Sequence, residues 1–152
     1  MTIDLTAAGT ELAGFEATVE RGRLRFFAQA IGESDASYFD LDAARASGYP
    51  DLPVPPTFLF CLELDQPEPF RYMTDLGVDL RFALHAQQSF DYQRMVFAGQ
   101  TLTFRPRIAD IYVKKQGALQ FVEKQTTVLD AAGAEVAQLR SVLVVRSAQV
   151  AQ

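Results

Sequence analysis

Metal-ligating and redox-active side chains are scarce in this sequence of 152 residues. It has one cysteine, Cys61, one histidine, His85, and no tryptophan. A single cysteine excludes a disulfide within the chain, and one histidine with one cysteine cannot complete the usual zinc site. We therefore expect neither a metal nor a bound cofactor. Cys61 lies in an apolar stretch, where a thiol acts as a small hydrophobic side chain rather than a nucleophile.

Long apolar runs and basic runs are also missing. No stretch approaches the roughly 18 apolar residues of a membrane span, and the N-terminus lacks the basic start and apolar core of a signal peptide. The chain carries 14 Lys and Arg against 19 Asp and Glu, and no basic segment could neutralise a row of phosphates. These features argue against a membrane or nucleic-acid partner and predict a cytoplasmic protein.

The residues that are present suit one packed domain. Hydrophobic residues make up 49% of the chain and Phe alone contributes 12 residues, enough to build a core at this length. The first 13 residues are small and polar. We predict a loose N-terminal arm over residues 1–13 and a single domain over residues 14–148.

The first half of the chain has helical patterns. Residues 15–19 can form a short strand or lead directly into a helix. From Arg21 the apolar spacing is that of one helical face, and Gly32 supplies a stop; the face consists of Leu24, Phe27, Ala28 and Ile31. Asp40 can cap a second short helix over residues 41–47.

A proline-rich turn, GYPDLPVPP, leads into the most apolar segment of the chain, TFLFCLEL. Pro56 is suited to the first position of a helix, and a helix apolar on nearly every side must be enclosed by a sheet. A buried strand is the alternative. Residues 65–81 indicate a loop with a turn of helix near residues 72–76.

The second half changes to strand patterns. Four long segments separated by turn signals predict four antiparallel strands joined by hairpins. Leu102, Phe104 and Ile108 share one face, but Ile111 has the other parity, which predicts a bulge at residues 109–110. Pro106 indicates a strand edge or a distortion. The fold class is therefore α+β, an antiparallel β-sheet wrapped around a central apolar α-helix.

Several motifs within this layout carry a family resemblance. They are A-x-G-E-x-D-x-x-Y-F-D from Ala30, A-R-A-x-G-Y from Ala44, P-P-T-F from Pro55, and H-A-x-Q-x-F-x-Y from His85 with A-G-Q-T-L downstream. Over about residues 14–147 the chain resembles the hot-dog fold of MaoC-like dehydratases, and in particular their N-terminal, FAS1-like dehydratase type. The resemblance implies a thioester carried by CoA or acyl carrier protein, (R)-3-hydroxyacyl dehydration or enoyl hydration, and a homodimer or heterodimer of hot-dog subunits.

The catalytic positions implied by the resemblance have changed in this sequence. In active members an Asp and a His hold the water or hydroxyl, and a backbone N–H at the start of the central helix, usually from an H-G pair, polarises the thioester carbonyl. Alignment on Gly32 puts Glu33 at the Asp and Tyr38 at the His, and the H-G pair falls on Pro55 and Pro56. Tyrosine is a poor proton shuttle at neutral pH, and proline has no N–H.

Two interpretations of this loss remain open, and we favour the first. In the first, the chain is the non-catalytic subunit of a heteromeric dehydratase and shapes the acyl pocket, with Pro56, Thr57 and Phe58 as substrate-binding candidates. In the second, the catalytic site is rebuilt around Glu33, Tyr38 and His85. Without the resemblance, each of these three side chains also fits a structural role, as a loop acid, a packing aromatic and a hydrogen-bonded imidazole.

Two further functions fit the same fold. One is a non-enzymatic module that binds acyl thioesters. The other is a hot-dog thioesterase, in which Glu33 or Asp35 would activate a water.

Overall fold

The computed structural model describes residues 2–146, so the predicted domain end at residue 148 lies outside the described residues. The helices are α1 (Arg21–Ala30), α2 (Leu41–Ala46), α3 (Phe58–Leu64) and α4 (Arg71–Asp75). The strands are β1 (Phe15–Thr18), β2 (Ala83–Tyr92), β3 (Thr101–Lys114), β4 (Leu119–Leu129) and β5 (Glu135–Arg146). Among the helices described here, none is long and apolar enough to cross a membrane.

The five strands form one antiparallel sheet in the order β1-β3-β4-β5-β2. The prediction that four successive strands are joined by hairpins is therefore wrong at one point, because β2 pairs with β5 and not with β3. The segment between β2 and β3 pairs instead with the proline-rich turn: the Val54 N–H donates to Val96 O at 2.9 Å, and the Ala98 N–H donates to Leu52 O at 2.9 Å. These bonds hold the segment that crosses the end of the sheet from β2 to β3. Strand β2 therefore forms the edge opposite β1.

The predicted irregularity in β3 is confirmed. The register with β4 shifts between Ile108 and Asp110, and both Ile108 and Ile111 are buried because the extra residue restores their parity. Pro106 lies beyond the four-residue pairing with β1, where the outer edge of β3 is no longer covered by that strand. A proline is tolerated there because it faces the N-terminal segment and not β4, and its carbonyl accepts from the Leu12 N–H at 3.0 Å.

The N-terminal residues differ from the expected loose arm. Ile3 is only 1% exposed, and its N–H donates to Gln120 Oε1 at 2.6 Å. Further along, the Gly9 N–H donates to Ile108 O and the Leu12 N–H donates to Pro106 O. Residues 2–13 therefore run along β3 and extend the covered edge of the sheet. The composition of this segment does not predict such packing, because a single buried side chain, Ile3, anchors residues that are otherwise mostly small and polar.

Local signals place α1 and α2 as expected. Asp40 Oδ1 accepts from the Ala43 N–H at 2.8 Å, and Gly48 follows α2 with a φ of 86°, which a glycine adopts without strain. In α1, Leu24 and Ala28 are buried. Ile31 lies after the last helical residue and is exposed, although the spacing predicted it on the buried face.

Helix α3 is the central helix, and the alternative of a buried strand is wrong. Its buried side chains include Phe58, Leu59 and Leu62, and they pack in one cluster with strand residues such as Phe104, Val128 and Leu139. The helix begins at Phe58 rather than at Pro56, because the Phe58 N–H closes a turn onto Pro55 O at 2.9 Å. The opposite side of the helix is only partly covered, and Leu64 is 40% exposed.

The burial of α3 predicts how two leucine-to-alanine variants change the free energy of unfolding. Leu59→Ala leaves a cavity between helix and sheet and should lower the free energy of unfolding by about 2–5 kcal/mol. Leu5→Ala, at a position 48% exposed, should change it by no more than about 0.5 kcal/mol. Urea unfolding followed by circular dichroism measures both. Equal effects would contradict the assignment of Leu59 to the core.

Candidate functional site

A cleft of about 320 Å³ lies at the start of α3, where the sequence predicts the site. It brings together Tyr38 from the loop after α1, Pro56 from the turn before α3, and Tyr92 from the end of β2. The remaining lining residues come from the two paired segments described above and are Val54, Gln93, Arg94, Met95 and Val96. The walls are thus mostly apolar, with two phenol groups and one guanidinium.

At the two positions that the family resemblance aligns with the oxyanion donor, the turn before α3 offers backbone acceptors and no donor. Pro55 and Pro56 have no N–H, and the Phe58 N–H donates to Pro55 O at 2.9 Å. Pro56 O accepts from the Tyr92 hydroxyl at 2.7 Å. An oxyanion needs prepositioned N–H or O–H donors. The two prolines supply none, and the hydroxyl next to them is already donating to a carbonyl.

The two acids of the loop after α1 bind their own backbone. Glu33 Oε1 accepts from the N–H groups of Ser34 at 2.8 Å and Asp35 at 3.0 Å. Asp35 Oδ1 accepts from the Ser37 N–H at 2.9 Å and from its hydroxyl at 2.8 Å. These bonds, the one from the Ser37 N–H above all, lower the pKa of the Asp35 carboxyl. Both carboxylates therefore order the loop that carries Tyr38.

Tyr38 is half-buried in the cleft. Burial raises the pKa of its hydroxyl, and the nearby Glu33 carboxylate raises it further by opposing a second negative charge. Tyr38 is therefore a neutral phenol at physiological pH. It can donate or accept a hydrogen bond, but it cannot act as the base that the His of the motif provides.

His85 lies away from this cleft. It is exposed on β2, its Nε2 is 3.0 Å from Gln87 O, and its ring packs against Phe60 of α3 at 5.1 Å between centroids. Tyr92, which reaches Pro56, is seven residues further along the same strand, a distance of about 20 Å at the usual rise per residue. The structure brings Tyr38 and Pro56 together, with Glu33 nearby, and separates His85 from them.

The other two predicted substrate-binding residues, Thr57 and Phe58, differ in their exposure to solvent. Thr57 is exposed at the start of α3, next to Pro56. The Phe58 ring is buried instead, packing edge-on against Phe27 at 5.4 Å. Sequence reasoning missed Tyr92 as a site residue, although it closes the H-A-x-Q-x-F-x-Y motif. Across residues 2–146 no three His, Cys, Asp or Glu side chains gather as a metal site.

Comparisons with known proteins identify the family and the fold. The family model of the FAS1-like dehydratase domain region matches residues 6–139. The chain belongs to this FAS1-like dehydratase family. Among curated relatives, a UPF0336 protein of Streptomyces coelicolor is 35% identical over 133 residues, which cover 88% of this chain and 87% of that protein.

Two solved complexes from Mycobacterium tuberculosis have the same fold as this FAS1-like dehydratase chain. The C-terminally truncated HadBC complex, a (3R)-hydroxyacyl-ACP dehydratase, has a chain that matches with a TM-score of 0.75 at 23% identity, covering 95% of this chain and 99% of that one. The ChsH1–ChsH2 complex has a chain that matches with a TM-score of 0.71 at 19% identity, covering 94% and 92%. The fold is the hot-dog fold.

Titration of Tyr38 tests the electrostatics of the cleft in this member of the FAS1-like dehydratase family. Because burial and the Glu33 carboxylate both oppose ionisation, the Tyr38 signal should titrate above the usual value of about 10. NMR of ¹³C-labelled tyrosine measures this, and Tyr38→Phe assigns the signal. In Glu33→Gln the midpoint should move down while staying above the ordinary value. A Tyr38 midpoint below the ordinary value would contradict the environment described here.

Proposed function

We propose that this chain is the non-catalytic subunit of a heteromeric (R)-3-hydroxyacyl-thioester dehydratase or enoyl hydratase. One observation carries the proposal: Pro55 and Pro56, which the family resemblance aligns with the oxyanion donor, have no N–H, and the Pro56 carbonyl accepts from the Tyr92 hydroxyl. Tyr38, a neutral phenol, aligns with the His that acts as a base in the motif of active members. The cleft keeps its apolar walls and volume while lacking the chemical groups of the reaction, as a pocket that binds without catalysing would.

The sheet and the central helix leave one side of the chain suited to a partner. Within the described residues, β2 pairs only with β5, so its ten residues form an open edge. The His85 ring on Phe60 places the less covered side of α3 beside this edge, and Leu64 lies one helical turn from Phe60. A second strand can pair with such an edge while a second helix covers Phe60 and Leu64.

The neighbours support a partner of the same fold. HadBC and ChsH1–ChsH2 are complexes of two kinds of subunit, as their names state. We propose that β2 pairs edge to edge with a second hot-dog subunit that carries the Asp and the His. The acyl thioester, on CoA or acyl carrier protein, would then be bound between the two chains.

Hydration of crotonyl-CoA tests the catalytic assignment. The purified chain alone should leave the enoyl-thioester absorbance unchanged, because it lacks both the oxyanion donor and the base. Addition of a MaoC-like hot-dog subunit with an intact Asp and His from the same genome should produce hydration. Glu33→Gln in this chain should leave the rate of the complex within about threefold, because that carboxylate binds its own loop and would take no part in proton transfer.

Three other results would each contradict the proposal. Hydration by the isolated chain that is lost in Glu33→Gln would indicate a site rebuilt within this chain. Release of free thiol would indicate a thioesterase. Binding of acyl-CoA with no hydration in any combination of subunits, tested also with longer enoyl-CoAs, would indicate a binding module.

A charge placed on the exposed side of α3 tests the interface. Leu64→Glu should weaken assembly with the partner at least tenfold, because the carboxylate would be buried without a partner. Leu5→Glu is the matched control, since Leu5 is equally exposed but lies over β3, away from β2. Light scattering after size-exclusion chromatography measures assembly. Equal effects of the two variants would rule out this face.

A further inference from the structure

A second cavity, of about 440 Å³, lies at the C-terminal end of α3 and shares no lining residue with the cleft described above. Its wall is formed by the N-terminal segment, by the loop between α3 and α4, by α4 and by β3. The exposed lining residues Glu68, Arg71 and Asp75 also carry charge, and Arg71 pairs with both acids. The apolar lining residues are Leu12, Ala13, Phe15, Pro67, Pro69 and Pro106. At its buried end three polar side chains meet, and these are Glu63, Tyr72 and Lys124.

Glu63 is held by one of its two oxygens. Oε1 accepts from Lys124 Nζ at 2.9 Å and from the Thr126 hydroxyl at 2.5 Å. Oε2 is buried and has no hydrogen-bond partner in the described part of the chain. Glu63 is 3% exposed and lines the cavity, so this second oxygen is a buried acceptor just behind the cavity wall. A ligand hydroxyl reaches it after a small shift of the Glu63 or Tyr72 side chain.

Tyr72 presents a second unused group. The residue is 6% exposed, and its hydroxyl likewise lacks a hydrogen-bond partner among residues 2–146. The ammonium of Lys124 lies 5.6 Å from the centre of its ring. Burial raises the pKa of this hydroxyl, and the Glu63 carboxylate raises it further. Lys124 is the common neighbour of the two residues, because its Nζ contacts both Glu63 Oε1 and the Tyr72 ring. The Tyr72 hydroxyl is therefore a neutral group that can donate or accept.

The charges at this end of the cavity select the ligand. Glu63 and Lys124 neutralise each other, so a carboxylate would meet the negative oxygen of Glu63 and an ammonium would meet Lys124. A neutral group avoids both repulsions. Because ionised Glu63 Oε2 only accepts, the ligand must donate to it, and an alcohol can do so while it accepts from Tyr72.

We propose that this cavity binds a neutral aliphatic ligand that ends in a hydroxyl group, with the hydroxyl donating to Glu63 Oε2 and accepting from the Tyr72 hydroxyl. The aliphatic body lies against Leu12, Phe15 and the prolines of the wall. The cavity volume is within the range of about 300–1,000 Å³ usual for small-molecule sites. The site does not depend on the dehydratase assignment, because it lies outside the cleft at the start of α3.

NMR titration of the full chain with 1-hexanol tests the proposal. The comparison ligand is 1-fluorohexane, which has nearly the same shape but no hydroxyl to donate. Hexanoate and hexylamine carry the two charges that the cavity should reject. Amide shifts should concentrate on the cavity residues, and 1-hexanol should bind at least about fivefold more tightly than each of the other three.

Two variants separate recognition from folding. Tyr72→Phe removes only the unsatisfied hydroxyl, so the protein should remain folded while the affinity for 1-hexanol falls about fivefold and that for 1-fluorohexane is unchanged. Tyr112→Phe, on β3 and stacked on Phe121, is the matched control and should bind as the parent chain does. Ala13→Trp, at an exposed lining position, should block the cavity and abolish binding of both neutral ligands.

Three results would overturn the proposal. Equal binding of 1-hexanol and 1-fluorohexane would mean that the cavity recognises apolar volume alone. Tighter binding of hexanoate or hexylamine would mean that one charge of the Glu63–Lys124 pair dominates. A folded chain with no shifts at the cavity residues for any of the four compounds would mean that the cluster is structural only.

Discussion

Burial of α3 against the concave side of the sheet is the interaction on which the remaining structure depends. Phe58, Leu59 and Leu62 are nearly inaccessible, although the helix has only seven residues and could not be stable alone. A sheet must bend to enclose such a helix, and the bulge at Ile108 and Asp110 lies in the strand that bends. The same burial fixes the turn before the helix, and through it the position of the cleft.

The sequence predicted features set by local chemistry and missed those set by distant contacts. The Asp40 cap, the bulge near Asp110 and the helix over FLFCLEL follow from spacing and side-chain type. The position of β2 beside β5 does not, because it depends on bonds between two irregular segments far apart in sequence. Glu63 shows this limit: it lies in the predicted central helix, but its partner Lys124 is 61 residues away in the sequence.

The two ends of α3 differ in their chemistry. At its start, Pro55 and Pro56 remove backbone donors, and Tyr92 occupies a carbonyl that remains. At its end, the Glu63–Lys124 ion pair is buried, although a protein with apolar residues of similar volume in such positions is often equally stable. The family resemblance led to Tyr38, Pro56 and the first end. The residues at the second end lie in none of these sequence motifs, and they meet only in the folded chain.

The two edges of the sheet differ in their length and in how far they are covered. The β1 edge is short, and the N-terminal segment continues its cover along β3. The β2 edge presents ten residues, interrupted by one irregularity between His85 and Gln87. A long open edge is a template for any other strand, including copies of itself. If β2 pairs with a second subunit as proposed, chain synthesised in excess of that subunit would be prone to edge-to-edge aggregation, and balanced synthesis of the two would favour soluble protein.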